Sequence, residues 1–178
     1  DVLFGNYNPA GRLPVTFYSS TNELPDFEDY NMRAGNGFTY KYFNGSTLYP
    51  FGHGISYTKF KYSDLTINKK KLNNSDEVFV SVNIKNVGEL DGEEVVQLYV
   101  KDLESTILMP HKQLKGFERI SLKKGEKKTV KFKLNVSKDL CYYDSVKQIY
   151  TVEPGDFEIQ LGGSSKDIML KKIISVEN

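Results

Sequence analysis

From Phe60 onward apolar residues recur at every second position in short runs separated by turn residues. That pattern restricts a chain to antiparallel sheets with one buried face. Val78, Val80, Val82 and Ile84 share one side of such a run, while Phe79, Ser81 and Asn83 share the other. After the turn NVGELDGEE, Val96, Leu98 and Val100 repeat the arrangement. Val130, Phe132 and Leu134 then alternate with Lys131 and Lys133, and Phe157, Ile159 and Leu161 with Glu158 and Gln160. With further segments at 62–67, 114–120, 149–152 and 168–174, the spacing predicts about seven or eight strands. The fold class is mainly β, an immunoglobulin-like or fibronectin type III-like antiparallel β-sandwich. No window keeps apolar positions at helical spacing for three turns, so helix is confined to one short turn near 137–140, with Ser137 as its cap. Gly125 in LKKGEKKTV and Pro154-Gly155 in VEPGDFEI mark hairpin-like corners, and the small residues at 162–165 mark another hairpin.

The first sixty residues have a different character. They hold 14 of the 23 Phe and Tyr residues and four of the six prolines, with little alternation. The piece VLFGNYNPAGRLPVTF turns through Asn8, Pro9 and Gly11 and ends in a short strand over 13–17 that has nothing to pair with by itself. Residues 26–33 are too few and too polar to fold independently, and GNGFTYKYF (35–43) reads as a loop entering an aromatic strand. In LYPFGHGISYTKF (48–60), Tyr49, Phe51, Tyr57 and Phe60, with Phe43 upstream, surround a turn built on Pro50, Gly52 and Gly54. Large rings flanking a tight turn are the composition of a seam between two folded bodies. The expected division is an irregular segment over 1–54 and a domain over 55–178.

Composition narrows function mainly by exclusion. A length of 178 residues with 39% hydrophobic and 26% charged residues suits a soluble globular protein with an adequate core. The net charge of +1 leaves no footprint for nucleic acid or membrane, although 19 of the 21 lysines follow Phe60. No apolar run approaches the roughly 18 residues of a membrane span, and 1–6 lacks the regions of a signal peptide. The compartment stays open between cytoplasm and secretion, and sequons at Asn44, Asn73 and Asn135 matter only in a eukaryotic secretory route. Cys141 is the one cysteine, so an internal disulfide and a cysteine-rich metal site are excluded, and beside Tyr142 and Tyr143 it reads as a small packing side chain. His53 sits in a glycine turn and His111 in a loop, far from each other in sequence, which gives no recognisable metal site. No cofactor is implied.

Hydrolysis by paired acids needs two carboxyl groups held close together with opposite protonation states. The acidic pairs Glu28/Asp29, Glu93/Glu94 and Asp102/Glu104 read as solvated surface or turn residues rather than catalysts. Tyr40, Tyr42 and Tyr49, close to Phe43, are candidates for a sugar-stacking face, with packing as the favoured alternative.

Four motifs in order, DVLFGNYNPAGRLPVTFY, LYPFGHGISYTKF, GEEVVQLYVKD and QLKGFERI, resemble the C-terminal end of glycoside hydrolase family 3, the β-glucosidase and β-xylosidase family. The resemblance covers nearly the whole chain. It implies that 1–54 is the tail of an α/β sandwich domain with an aromatic linker, and that 55–178 is a fibronectin type III-like domain. In that family the nucleophilic aspartate and the acid/base lie upstream of the region matched, in the barrel and the α/β sandwich domain, so no catalytic residue is carried over. The parent is expected to release terminal β-linked glucose or xylose with retention, and this chain alone to be inactive. Phe43, Tyr49, Phe51, Tyr57 and Phe60 then become docking residues at the join, and Ile107, Leu108 and Met109, in DLESTILMPHK, a second docking patch. The implied partners are the barrel and α/β sandwich domains, in cis or in trans; self-association through a strand edge is a further option. The alternative function is an independent carbohydrate-binding or adhesion module.

Overall fold

The computed structural model describes residues 1–177. A 3-10 turn at Val2–Phe4 is followed by β1 (Phe17–Tyr18), a second 3-10 turn at Thr21–Glu23, the helical turn α1 (Thr39–Tyr42) and β2 (Thr47–Tyr49). The sandwich strands come next: β3 (Phe60–Ile67), β4 (Lys71–Leu72), β5 (Glu77–Asn86), β6 (Gly92–Asp102), β7 (Gln113–Leu122) and β8 (Lys127–Asn135). After the helical turn α2 (Val136–Asp139) follow β9 (Tyr142–Asp144), β10 (Ile149–Thr151), β11 (Gly155–Gly162) and β12 (Ile168–Val176). Strands β3-β5-β8 form one sheet and β4-β12-β11-β6-β7 the other, antiparallel throughout except where β12 meets β4. The predicted mainly β, fibronectin type III-like sandwich is thus the observed one.

The period-two residues form the core. Val78, Val80, Val82 and Ile84 of β5 face Val96, Leu98 and Val100 of β6 and Phe157, Ile159 and Leu161 of β11, all of them buried, and Val130, Phe132 and Leu134 of β8 complete the layer. Each such side chain contributes about 1.5–3 kcal/mol on leaving water. The opposite side of β5 carries Phe79, Ser81 and Asn83 toward solvent, as its alternation requires.

Several local expectations change. The expected strand over 13–17 shrinks to Phe17–Tyr18, and it does find a partner, in β2, whose residues come about thirty positions later. Residues 39–42 form a helical turn where an aromatic strand was expected. Gly37 takes φ 74° and lies so close to Tyr42 that a Cβ there would meet the Tyr42 carbonyl oxygen at 2.1 Å, so the backbone closes on itself before it can extend. Gly125 makes its turn with φ 77°, but the strands it joins, β7 and β8, belong to different sheets. Gly155 likewise opens a strand whose neighbours are β6 and β12, while β10 pairs with β9. Neither corner closes a hairpin: the first crosses between the two layers, and the second leads from the β9-β10 ribbon into the five-stranded sheet. Ser137 lies inside α2, and its hydroxyl donates to Asn135 Oδ1 at 2.8 Å instead of capping the helix.

The deepest departure from simple alternation is in β6 and β11. Gln97, Tyr99 and Gln160 point away from the core and are nonetheless buried. A polar strand face is dry only if something covers it, and over Gln97 and Tyr99 the cover comes from the first sixty residues.

Candidate functional site

The seam between the N-terminal segment and the five-stranded sheet is built by the turn at 50–54. Leu13 and the turn exchange backbone hydrogen bonds, Leu13 N–H to the His53 carbonyl and Gly52 N–H to the Leu13 carbonyl, each 2.8 Å. This clamped ribbon lies on β6. Gln97 Nε2 donates to the Gly52 carbonyl at 3.2 Å and to the Gly163 carbonyl at 2.5 Å, and Tyr99 Oη donates to Gln97 Oε1 at 2.5 Å. Ser165 N–H reaches the Phe51 carbonyl at 2.9 Å. Tyr40 stacks on Phe51 with ring centroids 4.3 Å apart and meets Tyr99 edge-on at 5.9 Å, while its hydroxyl accepts from Leu114 N–H at 3.1 Å. Its burial raises its pKa.

Beside this ribbon opens a cleft of about 640 Å³ lined by Arg12, His53, Thr58, Tyr62, Glu94, Lys166 and Asp167, among others. Glu94, expected at the solvated surface, is only 5% exposed. It is dry because the 8–14 segment lies across β6 and delivers Arg12, whose Nη2 donates to both Glu94 oxygens at 3.2 Å; Tyr62 Oη donates to Oε1 at 3.1 Å. Its neighbour Glu93 pairs with Arg119 in the open, as a surface residue does. Asp167 Oδ2 and Glu94 Oε1 both lie beside Gly163 and within about 7 Å of each other, near enough for two acids to cooperate.

That spacing does not make the pair a catalytic dyad. Burial pushes the Glu94 carboxyl up, and Arg12 and Tyr62 pull it back, so the group sits above its ordinary range with its oxygens already engaged. A general acid must hand its proton to a leaving group, whereas here the guanidinium and the phenol occupy the lone pairs that would take part. Asp167 is exposed, and its N–H is bound to Ser164 Oγ at 3.0 Å. The arrangement is an ion pair that ties residue 12 to residue 94 across the seam.

The other residues singled out by sequence fall into two groups. Phe43 is buried edge-on against Tyr18 at 4.5 Å, Phe51 lies half-buried under Tyr40, and Phe60 packs on the sandwich core. Tyr49 and Tyr57 are half-exposed; Tyr49 stacks on His53 at 5.0 Å, and Tyr57 Oη donates to the Val2 carbonyl at 2.8 Å. Tyr42 lies under the Arg33 guanidinium, 5.4 Å from its ring centroid. Ile107 and Leu108 are exposed and Met109 half-buried, in a loop held to α1 by His111 N–H on the Lys41 carbonyl at 2.7 Å. Sequence reasoning missed Arg12, Tyr62, Gln97 and Tyr99. Only the last two left a signal, as polar and aromatic positions inside an otherwise apolar strand.

Lys112 completes the seam. Its Nζ donates to the Ser165 carbonyl at 2.8 Å and lies 5.9 Å from the Tyr99 ring centroid. Burial is the largest influence on it, and its pKa falls to about 8. Between that value and the ordinary lysine range the unfolded chain holds more protons than the folded one, so stability should rise with pH from about 8 toward 10. Urea unfolding across that window should show the rise in the parent and a shallower one in Lys112→Met, since burial also lowers Lys115; an unchanged slope would remove Lys112 as a cause.

Residues 1–57 match the glycosyl hydrolase family 3 C-terminal domain, and residues 94–165 the fibronectin type III-like domain. Thermostable beta-glucosidase B of Acetivibrio thermocellus is 43% identical over all of this chain and 25% of its own length. The xylan 1,4-beta-xylosidase of Xylanibacter ruminicola is 40% identical over 97% of the chain and 19% of its own length. Among solved structures, the beta-glucosidase of Kluyveromyces marxianus in complex with glucose superposes with a TM-score of 0.87 at 33% identity, over 100% of this chain and 22% of its own. The chain spans about a quarter or less of the length of these relatives.

Proposed function

This chain belongs to glycoside hydrolase family 3, and from that premise we propose that it is the end of an α/β sandwich domain joined to a fibronectin type III-like domain and braces the catalytic domains of a larger β-glycosidase. The whole enzyme would release terminal β-linked glucose or xylose with retention, using acids supplied by the upstream domains. The division is placed at 54/55, with Phe43, Phe51 and Phe60 holding the inner side of the join. Tyr49, Tyr57, Ile107, Leu108 and Met109 then meet the barrel and α/β sandwich domains.

One observation carries this reading: the N-terminal segment is dry on its sandwich side and strongly apolar on the other. Leu3 is 92% exposed, Phe4 86%, Phe27 94% and Tyr30 85%. A free-standing domain rarely leaves so many large apolar side chains in water, whereas a surface that another body covers would gain about 25 cal/mol per Å² buried. Aryl β-glucoside and aryl β-xyloside hydrolysis by this chain alone and by the longer enzyme is the test. The expected result is turnover only by the longer enzyme, and turnover by the isolated chain would overturn the assignment.

A further inference from the structure

The outer face of the β3-β5-β8 sheet lies on the opposite side of the sandwich from the seam, and its lysines are arranged in register. Lys61 of β3 is the cross-strand partner of Lys85 of β5, which is in turn the partner of Lys127 of β8. All three are exposed, since the residues beside them in sequence, Tyr62 and Ile84, face the core. Three ammonium groups therefore stand in a row whose Cα atoms span about 10 Å. Farther along β8, by about 13 Å, Lys131 stands opposite Ser81 and Lys133 opposite Phe79, and Phe79 is 50% exposed.

Like charges placed directly opposite each other in a sheet are destabilising. Carboxylates engage only two of these lysines: Asp64, which reaches Asn83 of the central strand, pairs with Lys127, and Glu77 pairs with Lys133, while Lys61, Lys85 and Lys131 make no ion pair among the described residues. The strip between the lysine rows is polar and hydrogen-bonded. Thr129 Oγ1 donates to Asn83 Oδ1 at 2.6 Å, Asn83 Nδ2 donates to Asp64 at 2.8 Å, and the Thr66 and Ser81 hydroxyls share a hydrogen bond of 2.7 Å.

We propose that this face binds an acidic polysaccharide, a polyuronate chain lying across the three strands with its carboxylates on Lys61, Lys85 and Lys131 and a sugar ring against Phe79. Charge complementarity selects an anionic polymer. The exposed aromatic ring set among hydrogen-bonding side chains selects a sugar polymer, since such a ring stacks on the apolar face of a pyranose. The surface is a broad sheet face with no helix or ribbon projecting to enter a nucleic-acid groove. The proposal stands apart from the bracing role, because the seam covers the outer face of the five-stranded sheet, and β3 reaches it only through residues such as Tyr62 that face away from this lysine face.

Mobility of the chain in native gels containing polygalacturonate, a neutral β-glucan or duplex DNA tests it. Polygalacturonate should retard the chain, less so as salt rises, and the neutral glucan should not. The triple variant Lys61→Ser/Lys85→Ser/Lys131→Ser should bind at least about tenfold more weakly with an unchanged or higher melting temperature, because opposed charges have been removed. Lys69→Ser/Lys70→Ser/Lys71→Ser, with the same net charge, should bind as the parent does. No retardation by polygalacturonate, equal weakening by the second triple variant, or equal retention by duplex DNA would each overturn the proposal.

Discussion

Glu94→Ala is expected to cost about 3–5 kcal/mol of unfolding free energy, because it leaves the Arg12 guanidinium in the seam without its counter-charge. Arg12 and Glu94 have side chains only 12% and 7% exposed, so water cannot replace the lost carboxylate without opening the segment that carries Arg12. The reciprocal change behaves differently, since a carboxyl can escape by taking a proton and a guanidinium cannot give one up. In Arg12→Met the Glu94 carboxyl, already raised by burial, loses the cation that pulls it down. Its folded pKa then lies further above the unfolded value, so the unfolded state releases its proton first and stability falls as pH rises through the interval. Urea unfolding at pH 5 and pH 8 should therefore show Arg12→Met with the smaller deficit at pH 5. A cost under about 1 kcal/mol for Glu94→Ala would mean that the pair is solvated and does not hold the seam.

The ion pair also marks the limit of what the sequence discloses. Val78, Val80, Val82 and Ile84 are legible because a strand's period of two is a local property, and the core they form follows from it. Glu94 is illegible because its burial depends on a residue 82 positions away, and nothing near GEEVVQLYV says that Arg12 will arrive. The same holds for Gln97 and Tyr99, whose strand looks one-sided until residues 40–52 cover it. Turn chemistry fails in another way. Gly125 and Gly155 announce a reversal of direction correctly, but a reversal within a sheet and a crossing between sheets use the same left-handed or extended glycine. Only the pairing partners, fixed by the packing of both layers, decide between them. The seam itself was legible as a concentration of rings around Pro50, Gly52 and Gly54; which sheet it would cover was not.

Gly52→Ala should produce a large loss confined to the seam. The residue has φ 81°, and a Cβ there would sit 2.2 Å from Gln97 Oε1. Gln97 cannot simply swing aside, because its amide is shared among the Gly52 and Gly163 carbonyls and the Tyr99 hydroxyl. Moving it strands buried polar groups at about 1–3 kcal/mol each, in addition to about 1–2 kcal/mol for a left-handed alanine. The cheaper response is for the 50–54 turn to lift from β6, which opens the segment while the sandwich core stays closed. Hydrogen exchange should then accelerate at Leu13, Gly52 and Ser165, whose N–H groups are bound within the seam, and remain slow along β5. Gly125→Ala is the matched control: its φ is 77° and its Cβ would meet nothing within 4 Å, so it carries the backbone strain without the collision. If the two alanines cost the same, Gln97 yields freely and the turn is not clamped by it. If Gly52→Ala alone loosens the seam, the same substitution in the longer enzyme should lower turnover of aryl β-glycosides without touching any reacting group, since a brace acts only through what it holds in place.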